Sequence, residues 1–555
     1  MHGGAHHHHH EHHDPDARGE QGGGAGVAMP WARLGAYAEL VWPAIAGAGL
    51  LAACAPAPTN PGRRSERRRV VVIGTGFGGA VTALRLAERG VDVTLIERGK
   101  RWASGQDHTF ATMGNADRRV SWLSSTNSAT GNLAPSLPWQ PYTGLLERIR
   151  GNGMDIVCAA AVGGGSLPYH GMTVQPRGDL FDRVMPDVLD YEEFDERWYP
   201  LVRRNLGASP IPDDVLASPR YASSRKFIEY VRAAGLPEAR GVPLPIDWDI
   251  VRQELRGEKR PVISAGDVIY GVNGPGKRSL DTNYLPAAEA TGRVELLPLH
   301  RVERIGRDDR GRWVVSTDRL DTNGVVHERV EVTTDALFLC AGSPNTTKLL
   351  VRAAGTGDIP DLPDDVGAWW STNGDLLTTQ FLSSPMGVLQ GGPASIGSLD
   401  WDNPAGPVTV LFAPIPTAVE ANVMETVGIF IPDGHGRFTY DPRSDSARLS
   451  FPASAHGAAM AEARRRVARV GRAAGSVAAI DMTAADPCTF HPLGGAVIGA
   501  VCDPYGRVLG QRGLYVNDGA LIPGSTACAN PSLTIAALAE RNIDRLVRDD
   551  VDTVF

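Results

Sequence analysis

From Val70 the chain reads Val-Val-Val-Ile without a polar break, then Gly74-Thr75-Gly76-Phe77-Gly78-Gly79, then an Ala- and Leu-rich stretch to Arg89-Gly90, and then Val91-Asp92-Val93-Thr94-Leu95-Ile96-Glu97. An uninterrupted β-branched run predicts a strand buried on both faces, a glycine after an amphipathic stretch predicts a helix stop, and the second apolar run predicts another parallel strand closing on an acid. Residues 102–141 are rich in Gly, Pro, Asn and Trp and predict loops. A second glycine cluster follows at Gly163-Gly164-Gly165-Ser166. Helical spacing covers residues 191–206 and 223–234. Alternation at 302–305, 313–316 and 325–332 predicts a strand-rich insertion that returns to the first sheet at Ala336-Leu337-Phe338-Leu339-Cys340-Ala341-Gly342-Ser343. Beyond it, residues 408–412 and 427–431 have strand patterns and 458–474 a long helix. The last part, 513–547, reads as strand, Asp518-Gly519 turn, loop and helix.

Composition narrows the class. With 555 residues, 42% apolar and 21% charged, the chain has the length for two to four globular domains and no internal repeat. A net charge of -8 argues against a nucleic-acid partner, which needs a basic field. The one dense basic run, Arg63, Arg64, Arg67, Arg68 and Arg69, is expected to be a solvated linker ahead of the first strand. Six cysteines without a CxxC pair suggest neither a zinc site nor a disulfide framework, so no metal is expected and most thiols should be buried and free. Histidines crowd residues 2–13, which reads as a leader or tag-like stretch. An apolar run at 40–53 ends Leu51-Ala52-Ala53-Cys54 and is followed by Ala55-Pro56-Ala57-Pro58, which resembles a bacterial lipoprotein signal with Met29 as the start and Cys54 lipidated. It is short for a membrane span. The expected location is therefore the cell envelope, as a lipoprotein at the membrane surface or a secreted protein, and the cytoplasm if the segment is not a signal.

The glycine turn carries the first chemistry. Gly74 ends the strand, Gly76 stands where backbone must approach a pyrophosphate, and Gly79 lies where helix packs on strand; a Cβ at any of these would obstruct. With Phe77 and Gly78 completing the turn, the helix N-terminus turns its free N–H groups toward the phosphates. Glu97, 18 residues past Gly79, ends the second strand and can bond ribose hydroxyls. This predicts a bound dinucleotide without separating NAD from FAD.

Distant segments separate them through a resemblance. Gly513-Leu514-Tyr515-Val516-Asn517-Asp518-Gly519-Ala520-Leu521-Ile522-Pro523, Asn530-Pro531, Val162-Gly163-Gly164-Gly165-Ser166-Leu167, Ala413-Pro414-Ile415-Pro416 and His491-Pro492-Leu493-Gly494-Gly495 occur in order. In this the chain resembles the GMC (glucose-methanol-choline) flavin oxidoreductases, and within them the bacterial cholesterol oxidases with noncovalent FAD, over residues 69–550. The resemblance implies an α/β fold: a Rossmann-like FAD-binding domain built from discontinuous segments (67–101, 278–368 and 506–550) and a mixed-sheet and helix substrate-binding domain (102–277 and 369–505), after a leader at 1–66. It implies flavin contacts at Gly165, Met172, Val302 and Gly519, with Tyr169, His170 and Asp518 beside them.

The same resemblance, joined to the chemistry of alcohol oxidation, points to the reacting groups. Moving a hydride from carbon to flavin N5 while the hydroxyl proton leaves needs a base and a group that fixes the oxygen. A largely neutral histidine suits the first task, so His491 is the candidate base and Asn530 the candidate oxygen holder. Three positions depart from the family. Leu411 stands where cholesterol oxidases carry the glutamate that shifts the steroid double bond, no carboxylate occurs at 408–412, and Glu420 lies too far along the chain to be an obvious substitute. Pro168-Tyr169-His170 replaces Val-Asn-Gly, which makes His170 a candidate covalent tether against a plainer packing role. Ser532 replaces a phenylalanine, and Ala527-Cys528-Ala529 carries an extra residue. The expected function is FAD-dependent oxidation of a 3β-hydroxysteroid or similar bulky alcohol, with O2 or another acceptor and with isomerisation weak or absent. Two alternatives are a GMC dehydrogenase for another bulky alcohol with a non-oxygen acceptor and a flavin-containing, sterol-binding lipoprotein without turnover.

Overall fold

The apolar run at residues 70–73 forms the inner half of a long strand, Gly62–Ile73, at the centre of a seven-stranded sheet. The structure is a computed structural model describing residues 60–131 and 136–555. The sheet order is Val294–Leu297, Val93–Ile96, Gly62–Ile73, Val326–Leu339, Trp313–Leu320 and His300–Arg307, with Leu514–Val516 also pairing to Val326–Leu339. The strands from 62–97, 294–297, 326–339 and 514–516 run parallel, and the excursion 300–320 is an antiparallel flap on the same sheet. Parallel strands must be covered on both faces. Helix Phe77–Glu88 does this with small residues, buried at ten positions, and it packs against the C-terminal helix Pro531–Asp549.

The basic run corrects the sequence expectation. Arg63, Arg64, Arg67, Arg68 and Arg69 are not linker; they belong to Gly62–Ile73, whose outer half pairs with residues 328–334. A strand tolerates this charge because that half is solvent-facing and acids stand beside it: Arg64 meets Glu328 at 3.0 Å, Arg67 meets Asp335 at 3.3 Å, and Arg68 meets Glu66 at 2.9 Å. The expected boundary between residues 66 and 67 thus falls inside the strand. The helix expected at 191–206 is helical throughout but widens at Phe194–Trp198 between Tyr191–Glu193 and Tyr199–Leu206.

A second, antiparallel sheet has the order Ser476–Asp481, Asp375–Leu382, Val423–Phe430, Val408–Ala413, Ile396–Asp400 and Arg240–Gly241. Helices Gly457–Ala473 and Ala222–Ala233 cover one face, where Phe227 stacks on Phe412 at 5.5 Å and a Cβ on Gly428 would lie 3.6 Å from Val467. Side chains alternate along a strand. The register therefore puts Asp375, Leu377, Thr379, Glu425, Val427, Ile429, Thr409, Leu411 and Ala413 on the opposite face. A small sheet pairs Cys488–Thr489 in parallel with Asp155–Ala159, which brings the loop before His491 beside the second glycine cluster.

The His-rich stretch and the apolar run ending at Cys54 lie outside the described residues. Among the described residues no helix is long and apolar enough to cross a membrane, and no cluster of three or more metal-ligating side chains occurs. Five cysteines are free thiols there, and four of them, Cys158, Cys340, Cys502 and Cys528, are buried.

Candidate active site

The glycine turn is wedged between two other chain segments. A Cβ on Gly74, whose φ is +105°, would lie 2.1 Å from the Cys340 carbonyl oxygen; one on Gly79 would lie 1.7 Å from the Gly74 oxygen, and one on Gly78 2.0 Å from the Asn517 oxygen. Gly76 caps helix Phe77–Glu88 without any side-chain bond, which leaves the first N–H groups for a ligand. Glu97 is buried. Its Oε1 accepts from the Thr75 amide at 3.2 Å and the Thr75 hydroxyl at 2.7 Å, and its Oε2 accepts from the Gly99 amide at 2.8 Å. Burial pushes this carboxyl up, opposed by those three bonds and by Arg98. Glu97, Gly74, His300, Val302 and Ala341 line a cavity of about 470 Å³ at the carboxyl ends of the parallel strands, where such sheets bind nucleotides. Asp518 ties the segment after strand Val326–Leu339 to the C-terminal segment: Oδ2 accepts from the Gly342 amide and the Thr346 hydroxyl, and Oδ1 from the Ala520 amide, which shapes the turn at Gly519.

The second glycine cluster adjoins this cradle, since the Thr75 hydroxyl accepts from the Gly163 amide at 3.1 Å. Gly165 sits in the short turn Gly164–Ser166, and the Tyr169 ring that follows lies 5.5 Å from the Phe77 ring. Tyr169 Oη is buried without a protein partner among the described residues. The buried Lys277 ammonium fixes this loop, donating to the Leu167 carbonyl at 2.7 Å and to the Tyr169 carbonyl; desolvation lowers it to about 7. His170 Nδ1 accepts from the Ala394 amide at 2.7 Å, so the ring is neutral with its proton on Nε2. Met172 is buried beside it. A glycine cradle, a phosphate-facing helix end and an orphaned buried phenol next to the turn fit FAD.

The loops of His491 and Asn530 reach the face of the second sheet opposite its helices at one row of its register. Asp375 and Thr409 both stand opposite Ile429. Asp375 Oδ2 lies 3.8 Å from His491 Nδ1 and accepts from the Phe490 amide at 3.1 Å and the Thr489 hydroxyl at 2.9 Å. The Thr409 hydroxyl donates to the Cys528 carbonyl. Asn373 braces the same loop, donating to the Ala529 carbonyl at 2.8 Å and accepting from the Thr526 amide at 2.7 Å. This loop holds Ala527 and Cys528 at φ +63°, a left-handed conformation that side chains rarely adopt, and delivers Asn530 as the cap of helix Pro531–Asp549. His491 and Asn530 are both buried.

Asp375 was missed by sequence reasoning; its only sign there is an acid opening an apolar strand. Burial pushes its carboxyl up to about 7, against the bonds from Phe490 and Thr489. A carboxyl raised in the fold contributes stability that is complete below its ordinary value of 3.8 and is lost as pH rises to about 7. Asp375→Asn is therefore expected to gain thermal stability relative to wild type between those two values and to hold a constant difference above them. Equal slopes of melting temperature against pH would contradict this.

The departures are also placed. Leu411 is fully buried between Gly397 and Val427. Glu420 accepts from the Met386, Gly387 and Asn422 amides and braces a loop. Ser532 is buried in the first turn of the C-terminal helix. A second acid missed in the sequence, Glu425, stands on the strand next to Leu411 and on the same face.

Comparison with known proteins bears on the fold and the cofactor. A family model described as "GMC oxidoreductase" matches residues 435–539, "GMC oxidoreductase, C-terminal" matches 373–483, and "FAD dependent oxidoreductase" matches 69–119. Two of these models, spanning residues 373–539, are GMC oxidoreductase models, which supports the GMC superfamily. The chain is 27% identical to a cholesterol oxidase of Mycobacterium tuberculosis (strain ATCC 25618 / H37Rv), over 85% of this chain and 90% of the relative. It is 24% identical to a cholesterol oxidase of Acinetobacter baumannii, over 85% and 93%. A solved structure, pyridoxine 4-oxidase from Mesorbium loti, shares the fold with a TM-score of 0.57 at 17% identity, covering 86% of this chain and 99% of that one. The protein is an FAD-dependent oxidoreductase of α/β architecture acting on alcohols.

Proposed function

We propose that this enzyme oxidises a 3β-hydroxysteroid or a similarly bulky alcohol to the ketone, with His491 as base and Asn530 as oxygen holder. The observation that carries the reading is the row Asp375–Ile429–Thr409, from which the His491 and Asn530 loops approach one apolar sheet face. The likeness to two cholesterol oxidases supports the substrate class.

FAD, when bound, supplies the two-electron acceptor. The turn Gly74, Gly76, Phe77, Gly78 and Gly79 would hold its pyrophosphate and Glu97 its ribose, with Val302, Asp518 and Gly519 along its length and Gly165, Tyr169, His170 and Met172 toward the ring. His491, buried away from water, takes the hydroxyl proton; the amide of Asn530 hydrogen-bonds the same oxygen and fixes which hydrogen on carbon faces the ring. Asp375 acts through His491 as a positioning residue. Its carboxylate stabilises the ring once the proton has arrived. Cleavage and lipidation at Cys54 would bring the enzyme to a membrane surface, where an apolar alcohol is found.

Anaerobic addition of cholesterol or a related 3β-hydroxysteroid to the purified enzyme is expected to bleach the flavin, and air to restore it if O2 is the acceptor. No bleaching by any steroid would refute the substrate class. Leu411 has no proton to move, and Glu425 lies one row, about 7 Å, further from the Thr409 end of the face. The expected product is therefore the unconjugated 5-ene ketone. Rapid appearance of the conjugated 3-oxo-4-ene absorbance would contradict this.

A further inference from the structure

Among the described residues, Glu425 is the one fully buried charged side chain that the register sets on the face opposite the helices and away from the His491 row; Arg240, paired with Gly397 at the sheet edge, shares that face but is exposed. Glu425 stands opposite Thr379 on one side and Ala413 on the other, and its Oε1 accepts from the Thr379 hydroxyl. The next row toward the reacting end is Leu377, Val427 and Leu411, all apolar. These residues form one hydrophobic cluster with Met172 of the flavin-side loop and with Ala529, the neighbour of Asn530.

The strand Val408–Ala413 gives this face a direction. Thr409 touches the Cys528 loop at one end. Past Ala413 the chain continues to Pro416, which lines a surface cleft of about 360 Å³ together with Met113, Ala265 and Leu389. Glu425 stands level with Ala413, between that cleft and the reacting end. Four residues of strand separate its row from that of Thr409, about 13 Å at the usual rise per residue. That is the scale of a fused-ring alcohol laid along the face.

A carboxyl buried beside an apolar row is costly unless its polar atoms are bonded. Burial pushes Glu425 up to about 8, so at neutral pH it is mainly the neutral acid, able to donate as well as accept. We propose that Glu425 is a specificity-determining residue that hydrogen-bonds a second oxygen, a carbonyl or hydroxyl, at the end of the substrate remote from the carbon being oxidised. The preferred substrate is then an alcohol with oxygen at both ends, and an all-carbon tail is the disfavoured alternative. This rests on the steroid reading above, which leaves the remote end unspecified.

The test compares two 3β-hydroxysteroids, one with a 17-oxo group and one, cholesterol, with a 17-alkyl tail, by anaerobic flavin reduction in the purified holoenzyme. Wild type should favour the 17-oxo compound in kcat/KM on the order of tenfold or more, as expected for one buried hydrogen bond. Glu425→Leu should remove that preference by lowering kcat/KM for the 17-oxo compound on the order of tenfold relative to cholesterol, a change in the ratio that loss of a purely structural contact would not produce. Glu425→Gln, whose amide still donates, should keep most of it. A wild type that favours cholesterol overturns the proposal, as does a ratio unchanged in Glu425→Leu. Should the leucine variant not hold flavin, the wild-type ratio decides alone. Bleaching by neither steroid refutes the parent reading and this one with it; bleaching by both at equal kcat/KM refutes this one only.

Discussion

His491→Ala is expected to slow flavin reduction by the alcohol on the order of 10²- to 10⁴-fold, the usual contribution of a placed base, while flavin content stays at the wild-type level. The two outcomes separate because the cradle for the dinucleotide is built from the first sheet and its turn, whereas His491 hangs from the small sheet through Cys488–Thr489. Added imidazole should restore part of the rate, since the ring leaves a site beside Asp375 that another base can enter. The same assay on Asn530→Ala should show a loss on the order of 10²-fold without imidazole rescue, because what is missing is a hydrogen bond to oxygen and not a proton acceptor. A wild-type rate of reduction in His491→Ala would remove this residue from the mechanism.

Gly79→Val should give the opposite pattern: a protein without flavin. Even the first carbon of the new side chain would overlap the Gly74 carbonyl, 1.7 Å away, and that carbonyl belongs to the turn itself. Relief requires the helix Phe77–Glu88 to move off the strand Gly62–Ile73, at a cost of at least about 1–3 kcal/mol for overpacking a rigid contact. Moving it also takes the helix N-terminus away from the phosphates. Visible flavin absorbance after purification with added FAD measures this directly. A yellow, correctly melting Gly79→Val protein would show that the close packing of turn and helix is not what holds the cofactor.

What was legible in the chain depended on how local its cause was. The turn at Gly74 and the acid at Glu97 were plain because steric demand at a phosphate fixes residue type and spacing within about thirty positions. The long helix near residue 460 and the strands near 410 and 428 followed from periodicity alone. The strand through Arg63 to Arg69 was not legible. Glu66 beside Arg68 is a local partner, but Arg64 and Arg67 are met by Glu328 and Asp335, more than 260 residues away, and no local pattern announces those. Asp375 was hidden for the same reason: only the fold sets it behind His491. Glu425 was visible as an acid among Val423, Met424, Thr426 and Val427, yet its meaning depends on register, which puts it on the face of Leu411 and not on the helix-covered one. A one-residue slip would have reversed that.

The pairing of Gly62–Ile73 with Val326–Leu339 has a consequence for biosynthesis. The strand that carries the first glycine turn leaves the ribosome early, but its parallel neighbour is made some 260 residues later, and the segment Leu514–Val516 with Asp518 comes last of all. The strand can pair early with Val93–Ile96 on one edge, but its other edge waits for Val326–Leu339, and contacts this distant in sequence form slowly. The cofactor cradle closes only when almost the whole polypeptide has emerged. Loading with FAD is thus a check on completeness: a chain that stops short of the final helix has the nucleotide fingerprint and no place to keep the nucleotide.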